Sequence, residues 1–296
     1  MDNFLFDNFI IPLEDSTLKD FYKVILSEAQ TKVKYGEREY YNYYPQEKKN
    51  IQIILETTEK DNKLKVDNMF FHHTSGTVWR LKIIEVMNNF PNTYLVSRED
   101  DTGVIIIRLV NEAVLGKRLK TGDIIEAQIS AFGMNIDVYK NEKSQNDSIF
   151  VSENMNKIIF EDGVLIPSNL IINNNTIMNE KERNEKEHYK DNLLKFKGTI
   201  KYANKYGINM FGIELPKYYS VVINTGYGEL PIFFTKSFLN NKMIEEIEEG
   251  NTINGDIFLS GDVCINEYEK YAEDNRYRKQ KITKLLLTNQ ENYGIL

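Results

Sequence analysis

The chain contains an internal repeat, in which residues 104–139 recur as residues 232–267 at a fixed offset. The aligned positions are glycines and branched apolar residues: Gly122 with Gly250, Ile125 with Ile253, Ile129 with Ile257, and Gly133 with Gly261. A repeat of this length marks one supersecondary unit that the fold uses twice. The repeat therefore predicts two copies of the same small domain.

The two copies have the same order of predicted elements, except that the second copy carries an extra stretch between its early strands. In the first copy, alternating apolar residues predict strands, a helical composition follows the third strand, and Gly133 is predicted to turn the chain between the last two strands. The predicted elements are strands at 78–87, 94–98 and 104–109, a helix at 111–119, and strands at 124–130 and 135–139. The second copy gives early strands at 196–202, 211–215 and 219–224, a strand at 230–235, a helix at 237–248, and strands at 253–259 and 263–266, with Gly261 as the last turn.

Three strands, a helix and two further strands is the order found in the OB-fold, a partly open five-stranded Greek-key barrel. SH3-like barrels lack a helix at that place, and β-sandwiches use more strands. We therefore predict a mainly β (α+β) protein with tandem OB-fold-like five-stranded barrels, each with a helix between strands 3 and 4. A fold of this kind does not by itself determine a function.

The predicted domains follow from the repeat and from composition. A small N-terminal α/β segment occupies residues 1–75, with a helix near its start and strands after it. The OB-like domains are predicted at 76–140 and 193–268, and a polar connection at 141–192 contains two short candidate strands at 158–160 and 164–166. Residues 269–296 are predicted to form a C-terminal helix or tail packed onto the body.

Composition restricts the function classes. The net charge of −7 and pI near 5.3 argue against a general nucleic-acid binder, because phosphate binding needs clustered Lys and Arg, and they fit a partner with a basic surface. A single cysteine, Cys264, excludes an intramolecular disulfide framework and a multi-cysteine zinc site. The sequence shows neither a signal-peptide pattern nor an apolar run of membrane-spanning length, which predicts a cytoplasmic protein.

No motif predicts a cofactor, a metal site or a catalytic centre. Gly226, Tyr227 and Gly228 precede a strand rather than a helix, so they indicate a hairpin turn and not a phosphate-binding loop. His72 and His73 are adjacent in a predicted strand, where neighbouring side chains point to opposite faces and do not converge on one metal. The chain is therefore predicted not to be an enzyme.

A tyrosine cluster is the most conspicuous candidate binding feature. Tyr40, Tyr41, Tyr43 and Tyr44 fill four of five positions, and they cannot all face one core in a strand or a helix. Some of their ring area is therefore expected to be exposed, and tyrosine is enriched at protein interfaces. A tyrosine-rich strand that flanks a core is the alternative interpretation.

These observations favour a non-catalytic protein-interaction module, for instance an inhibitor or immunity-type protein that masks another protein. The alternative is a tandem OB-fold protein that binds single-stranded nucleic acid in a groove. Its predicted contacts are Arg98, Arg108, Tyr227 and Lys236. A second alternative is a hydrolase that uses unrecognised carboxylates, which would require a pocket containing an acid with a raised pKa.

Overall fold

The computed structural model describes residues 15–45, 50–60, 63–87, 92–98, 103–112, 119–140, 148–151, 156–159, 161–168, 193–210, 213–240 and 247–264. Strands dominate these residues, which confirms the predicted mainly β class. The one α-helix among them is α1 (Asp15–Glu28).

The N-terminal sheet is a four-stranded antiparallel meander. Its strands, in chain and spatial order, are β1 (Thr31–Tyr35), β2 (Arg38–Tyr43), β3 (Ile51–Lys60) and β4 (Lys63–His73). Phe21 and Ile25 lie one helical turn apart on α1, and both are buried in the same cluster as Tyr41 and Tyr43 of β2. The helix therefore covers one face of this sheet.

The body of the molecule is one nine-stranded sheet, in which two additional pairings join strands that are not neighbours in the sheet order. Its strands are β5 (Thr77–Val86), β6 (Thr93–Arg98), β7 (Ile105–Leu109), β8 (Ile124–Tyr139), β11 (Leu165–Pro167), β12 (Leu194–Met210), β13 (Ile213–Thr225), β14 (Gly228–Thr235) and β15 (Thr252–Val263). A separate ribbon pairs β9 (Ser148–Val151) with β10 (Asn156–Ile159), and a short 3-10 helix spans Lys236–Phe238.

The strand pairing closes two five-stranded rings. In the first ring β5 pairs with β6, β6 with β7, β7 with the second half of β15, β15 with β8, and β8 with β5. In the second ring β12 pairs with β13, β13 with β14, β14 with β8, β8 with the first half of β15, and β15 with β12. The rings share the antiparallel pair β8–β15, which we call the crossing strands. Each ring therefore contains one strand that belongs to the other repeat.

The register of the crossing strands shows a pseudo-twofold relation. The repeat offset is 128 residues, from 122 to 250, and Ala131 pairs with Leu259, its own equivalent under that offset. On either side the pairs are reciprocal, so Ile129 pairs with Gly261 and Gly133 pairs with Ile257. Within one chain, the two repeats therefore associate as the subunits of a symmetric dimer do, each through the same surface.

The predicted turns at Gly133 and Gly261 are wrong, because the chain continues through both glycines as an uninterrupted strand. Close packing explains the glycines instead. A Cβ atom on Gly133 would lie 2.9 Å from Ile136 Cδ1, and one on Gly261 would lie 2.8 Å from Ile107 Cδ1. Both distances are shorter than real Cβ contacts, so the repeat keeps glycine where the crossing strands touch other core side chains.

Replacing Gly261 by alanine is expected to lower the free energy of unfolding by about 1–3 kcal/mol, the usual cost of overpacking a core. The added methyl group would also approach Leu109 Cδ2 at 3.0 Å. Gly226→Ala is the matched control, because no heavy atom lies within 4 Å of a Cβ at Gly226. Urea denaturation of both variants measures the difference, and equal stabilities would contradict the packing role of Gly261.

Other predicted elements agree in part with the structure. The helices predicted between the third and fourth strands fall largely on residues 113–118 and 241–246, which lie outside the described residues. At or beside the predicted ranges, the described residues Glu112 and Lys236–Phe238 have 3-10 conformation. The two candidate strands of the connection correspond to β10 and β11. They do not pair with each other, because β10 pairs with β9 and β11 pairs with β12.

The N-terminal sheet packs on the crossing strands near the pseudo-twofold position. His73 N–H donates to Ser130 Oγ (3.2 Å), and Ser260 Oγ donates to the Phe71 carbonyl oxygen (2.8 Å). Ser260 Oγ then accepts from Nδ1–H of His72 at 3.1 Å. Ser130 and Ser260 are register partners, so β4 is bonded to both crossing strands.

Candidate functional site

A groove lies where the two repeats meet at the mouth of the first ring. Its lining comprises residues 78–80 of β5, Arg98 at the end of β6, and residues 225–228 at the turn between β13 and β14. Its volume is about 650 Å³. We call it the inter-repeat groove, because the strands β5 and β6 come from the first repeat and the hairpin comes from the second.

Two stacked aromatic rings form the wall of the inter-repeat groove. The Trp79 and Tyr227 rings lie 5.4 Å apart between centroids at an interplanar angle of 23°. Trp79 is only 3% exposed, and its Nε1–H is directed to Thr77 Oγ1 (3.0 Å) and the Glu229 carbonyl oxygen (3.3 Å). The indole ring is therefore held as part of the wall, with Tyr227 lying against it.

Hydrogen bonds within the hairpin and across the repeats fix the shape of the groove. Thr225 Oγ1 donates to the Gly228 carbonyl oxygen (2.8 Å) and accepts from the Tyr227 N–H (3.1 Å). Arg98 Nη1 donates to the Gly226 carbonyl oxygen at 2.6 Å, which connects the first repeat to the second. The predicted hairpin turn at 226–228 is thus confirmed, and it is the turn that closes the groove.

The described lining of the inter-repeat groove contains two positively charged side chains, in a protein with a net charge of −7. These charges are the guanidinium groups of Arg80 and Arg98, and the described lining residues include no carboxylate. Arg80 lies 3.8 Å from Glu126 on the neighbouring strand, so part of its charge is balanced beside the groove. Guanidinium groups bind carboxylates and phosphates through paired N–H donors, which makes this surface suited to an anionic group.

Val78 gives the inter-repeat groove an apolar component. It is 55% exposed, and it lies one residue from Trp79 and two from Arg80 along β5. An apolar side chain next to two guanidiniums provides two kinds of contact for one ligand. The arrangement of these described residues can bind an anionic group that has an apolar neighbour.

The residues predicted for nucleic-acid binding are only partly brought together. Arg98 and Tyr227 both line the inter-repeat groove. Lys236 is exposed in the 3-10 helix that follows β14, and it does not line the groove. Arg108 lies between the rings of Phe70 and Phe258, with its Cζ atom 5.5 and 4.9 Å from the two centroids. Burial there lowers the pKa of Arg108 to about 10.

The tyrosine cluster is less exposed than the sequence predicts. Tyr40, Tyr41 and Tyr43 are buried and Tyr44 is half-buried. The reason is that both faces of β2 are covered. Tyr41 and Tyr43 pack in the cluster that contains α1, and Tyr40 packs with Ile54, Phe70 and Val110. Burial raises the pKa of Tyr43 to about 12.

The carboxylates with raised pKa values lie outside the inter-repeat groove. Burial raises the pKa of Glu56, which is paired with Arg38 and accepts from Asn68 Nδ2 at 3.1 Å. Burial also raises the pKa of Asp262 to about 6. Neither side chain lines the groove, so the structure adds no observation in favour of a carboxylate-based hydrolase there.

Sequence reasoning did not identify Val78, Trp79 or Arg80 as site residues. Trp79 belongs to the hydrophobic core, and it is also part of the groove wall. A hairpin turn from the second repeat completes the site, and only the pairing of distant strands brings it to β5. The sequence feature that did point to this site was Arg98, the last residue of β6, which was predicted as a possible contact.

No protein-family model, curated protein or solved structure matches the chain. Among the described helices, none has the length and apolar character needed to cross a membrane. Among the described residues, no group of three or more His, Cys, Asp or Glu side chains is placed to hold a metal ion.

Proposed function

We propose that this chain is a non-catalytic protein-interaction module that binds a segment of a partner protein in the inter-repeat groove. The observation that carries the proposal is the composition of the groove. Among the described lining residues, two guanidiniums and an exposed valine lie beside a fixed aromatic wall. Arginine and aromatic residues are enriched at the centres of protein interfaces, and they contribute much of the binding energy there.

The wall of the groove favours a protein partner over a nucleic acid. Proteins that bind single strands offer exposed aromatic faces on which bases stack. Here the Trp79 ring is buried, and Tyr227 lies stacked against it. With two arginines in the lining and a net charge of −7, the electrostatic attraction for a phosphate backbone is small.

Single-stranded nucleic acid is the second candidate. It is favoured by one observation, the proximity of Arg98 and Tyr227 in the same groove. Titration of a labelled single-stranded oligonucleotide at low salt tests it. Binding at micromolar protein that weakens steeply with added salt would support this candidate over the first.

The biological role that we propose is masking of a partner, as an inhibitor or immunity-type protein does, in the cytoplasm. The burial of the tyrosine cluster moves the proposed contact surface from β2 to the inter-repeat groove. Hydrogen bonds hold Arg98 and the hairpin of this surface in place, which reduces the conformational entropy that they would lose on association.

We also propose that each ring is an OB-like barrel whose fifth strand is supplied by the other repeat. The support is the closed pairing of five strands in each ring, three of them consecutive and two of them crossing. Exchange of equivalent strands between two identical units is the arrangement of a domain-swapped dimer, and here a single chain contains both units.

Comparative capture from a lysate of the native host tests the proposed site. The wild-type protein, Arg98→Gln and Lys236→Gln serve as baits, with and without nuclease treatment. We expect one protein to be captured by the wild type and by Lys236→Gln, and at least tenfold less of it by Arg98→Gln. The Lys236 variant removes the same charge outside the groove, so equal capture of that protein by all three baits would contradict the proposed site.

A further inference from the structure

The strand β5 extends past the end of one of its neighbours, and it does so at the inter-repeat groove. On one side, β5 pairs with β8 along residues 77–82. On the other side, its pairing with β6 starts only at Leu81, opposite Arg98, and no other described strand pairs with β5 there. Residues 78–80 therefore line the groove as the edge of a sheet.

The hydrogen-bond pattern of the sheet shows where the backbone of Val78 points. In an antiparallel pair, alternate residues direct both N–H and C=O to the partner strand, and the residues between them direct both groups away. Ile83 N–H donates to the Asp123 carbonyl oxygen (2.8 Å), in line with the β5–β8 register, so odd-numbered residues of β5 bond to β8. Cys264 N–H donates to the Glu126 carbonyl oxygen (2.8 Å), so even-numbered residues of β8 bond to β15 and the odd-numbered ones to β5. Both observations direct the N–H and C=O of Val78 away from β8 and into the groove.

Val78 is accessible in the folded protein. It is 55% exposed, and the groove beside it has a volume of about 650 Å³. That volume lies within the range of ligand-binding pockets, about 300–1,000 Å³. An accessible N–H and C=O at the edge of a sheet form a template for pairing with another extended chain. The groove therefore offers backbone hydrogen bonds to a bound polypeptide in addition to side-chain contacts.

The side chains around Val78 indicate what a paired segment must carry. Side chains alternate between the two faces of a strand, and directly opposed residues of paired strands share a face. A partner residue opposite Val78 would therefore lie on its exposed face. The next residue of the partner would lie on the face of Trp79, whose ring stacks with that of Tyr227. An apolar or aromatic side chain suits that second position.

We propose that the partner segment binds in the inter-repeat groove as an extended strand, which pairs with β5 through the backbone N–H and C=O of Val78. This inference rests on the proposed function of the groove, and it adds the conformation of the bound segment and the apolar side chain that the segment carries. In recognition of this kind, main-chain hydrogen bonds supply affinity and contacts of alternate side chains supply specificity. A nucleic-acid backbone has no N–H groups, so it cannot pair with the Val78 carbonyl oxygen in the same way.

Amide hydrogen exchange, followed by NMR in the full-length chain, tests the proposal with the protein captured from the host lysate as the partner. In the free protein, the Val78 amide is expected to exchange about a hundredfold faster than the Trp79 amide, which is bonded to β8. Saturation with the partner should slow exchange at Val78 by about tenfold or more. An unchanged rate at Val78 in the complex would overturn the proposal, and so would equally slow exchange at Val78 and Trp79 in the free protein.

Substitution of Val78 separates the backbone contact from the side-chain contact. Val78→Pro removes the N–H, and because that N–H does not bond to β8, the variant should fold and unfold at the urea concentration of the wild type. Val78→Ala is the matched control, since it keeps the N–H and shortens the side chain. We expect Val78→Pro to raise the Kd for the captured partner by about tenfold or more, and Val78→Ala by about threefold or less. Equal Kd values for the two variants would overturn the proposal, and if Val78→Pro does not fold, amide exchange in the wild type decides.

Failure here is distinguishable from failure of the proposed function. If Arg98→Gln loses the captured partner while exchange at Val78 is the same with and without the partner, the groove binds the partner but not as an added strand. If all baits capture the partner equally, the groove is not the binding surface, and the proposed function itself fails.

Discussion

Acidification from pH 7 to pH 5 is expected to destabilise the protein by about 4 kcal/mol through His72 and His73 alone. Burial lowers the pKa of His72 to about 4 and that of His73 to about 3, from an ordinary value of 6.5. Both imidazoles are therefore neutral in the folded protein at neutral pH. In the unfolded chain they take up protons as the pH falls below 6.5, so the unfolded state binds more protons and gains stability.

The window of this effect follows from the same pKa values. The contribution of the two neutral histidines to stability is fully present above pH 6.5. The contribution of His72 is lost as the pH falls toward 4, and that of His73 as the pH falls toward 3. Asp262 acts in the opposite direction. Because burial raises its pKa to about 6, the folded protein binds a proton at Asp262 at a higher pH than the unfolded chain does. Asp262 therefore adds stability as the pH falls from 6 to 3.8. The net loss of stability is therefore smaller than the share of the histidines.

The surroundings of the two histidines explain why protonating them in the folded protein is unfavourable. His72 is fully buried, and it bonds through Nδ1 to Ser260 on a crossing strand. His73 stacks on Phe233 with 3.6 Å between ring centroids, and its Nδ1 accepts from Ser75 Oγ at 2.8 Å. The Nε2 atoms of both rings are buried without a hydrogen-bond partner in the described structure. A proton added there would be a buried charge with no acceptor.

Urea denaturation at several pH values measures the effect in the wild type and in the double variant His72→Asn with His73→Asn. Asparagine can replace the hydrogen bonds made by Nδ1 but does not titrate. We expect the stability difference between the two proteins to change by about 4 kcal/mol from pH 7 to pH 5, and by about half of that in each single variant. Parallel pH dependences in the two proteins would show that the histidines are not buried as described.

Phe233→Ala is expected to lower the free energy of unfolding by about 3–5 kcal/mol, the usual cost of removing a buried phenylalanine ring. Phe233 is 1% exposed on β14, in the cluster that joins the N-terminal sheet to the body. One face of its ring stacks on His73, and its centroid lies 6.1 Å from that of Tyr218. Truncation would leave a cavity at the contact between the two parts of the molecule.

Phe233→Leu is the matched control, because leucine keeps most of the volume but removes the stacking on His73. We expect it to lose markedly less stability than Phe233→Ala, and chemical denaturation of both variants measures the two values. If the alanine variant is as stable as the wild type, the N-terminal sheet does not pack on β14 as the structure shows.

The sequence predicted the repeat unit and most strand positions, and it did so because alternation and turn residues are local signals. It did not predict that β8 and β15 cross from one ring to the other. A glycine between two alternating runs is compatible with a turn and with a continuous strand, and only the partner strands decide between them. At Gly133 the deciding contacts are with Ile136 and Ile232, and the second of these is remote in sequence.

The candidate site, too, depends on contacts between distant strands that local sequence patterns do not reveal. Arg98 and Tyr227 were predicted as possible contacts, but the adjacency of Tyr227 to Trp79 depends on strand pairing between the repeats. Arg108 was expected to contribute to a groove, and the N-terminal sheet covers it through Phe70. The local pattern of a strand shows which residues alternate, but it does not show which other element will cover each face.

The central claim is that the inter-repeat groove is the binding surface, and calorimetric titration of the captured partner against purified variants tests it most directly. The account predicts that Arg98→Gln raises the Kd at least tenfold, which corresponds to about 1.4 kcal/mol, while Lys236→Gln changes it by less than about twofold. Equal Kd values for the wild type and Arg98→Gln, with Lys236→Gln weakened instead, would contradict the claim and place the binding surface elsewhere.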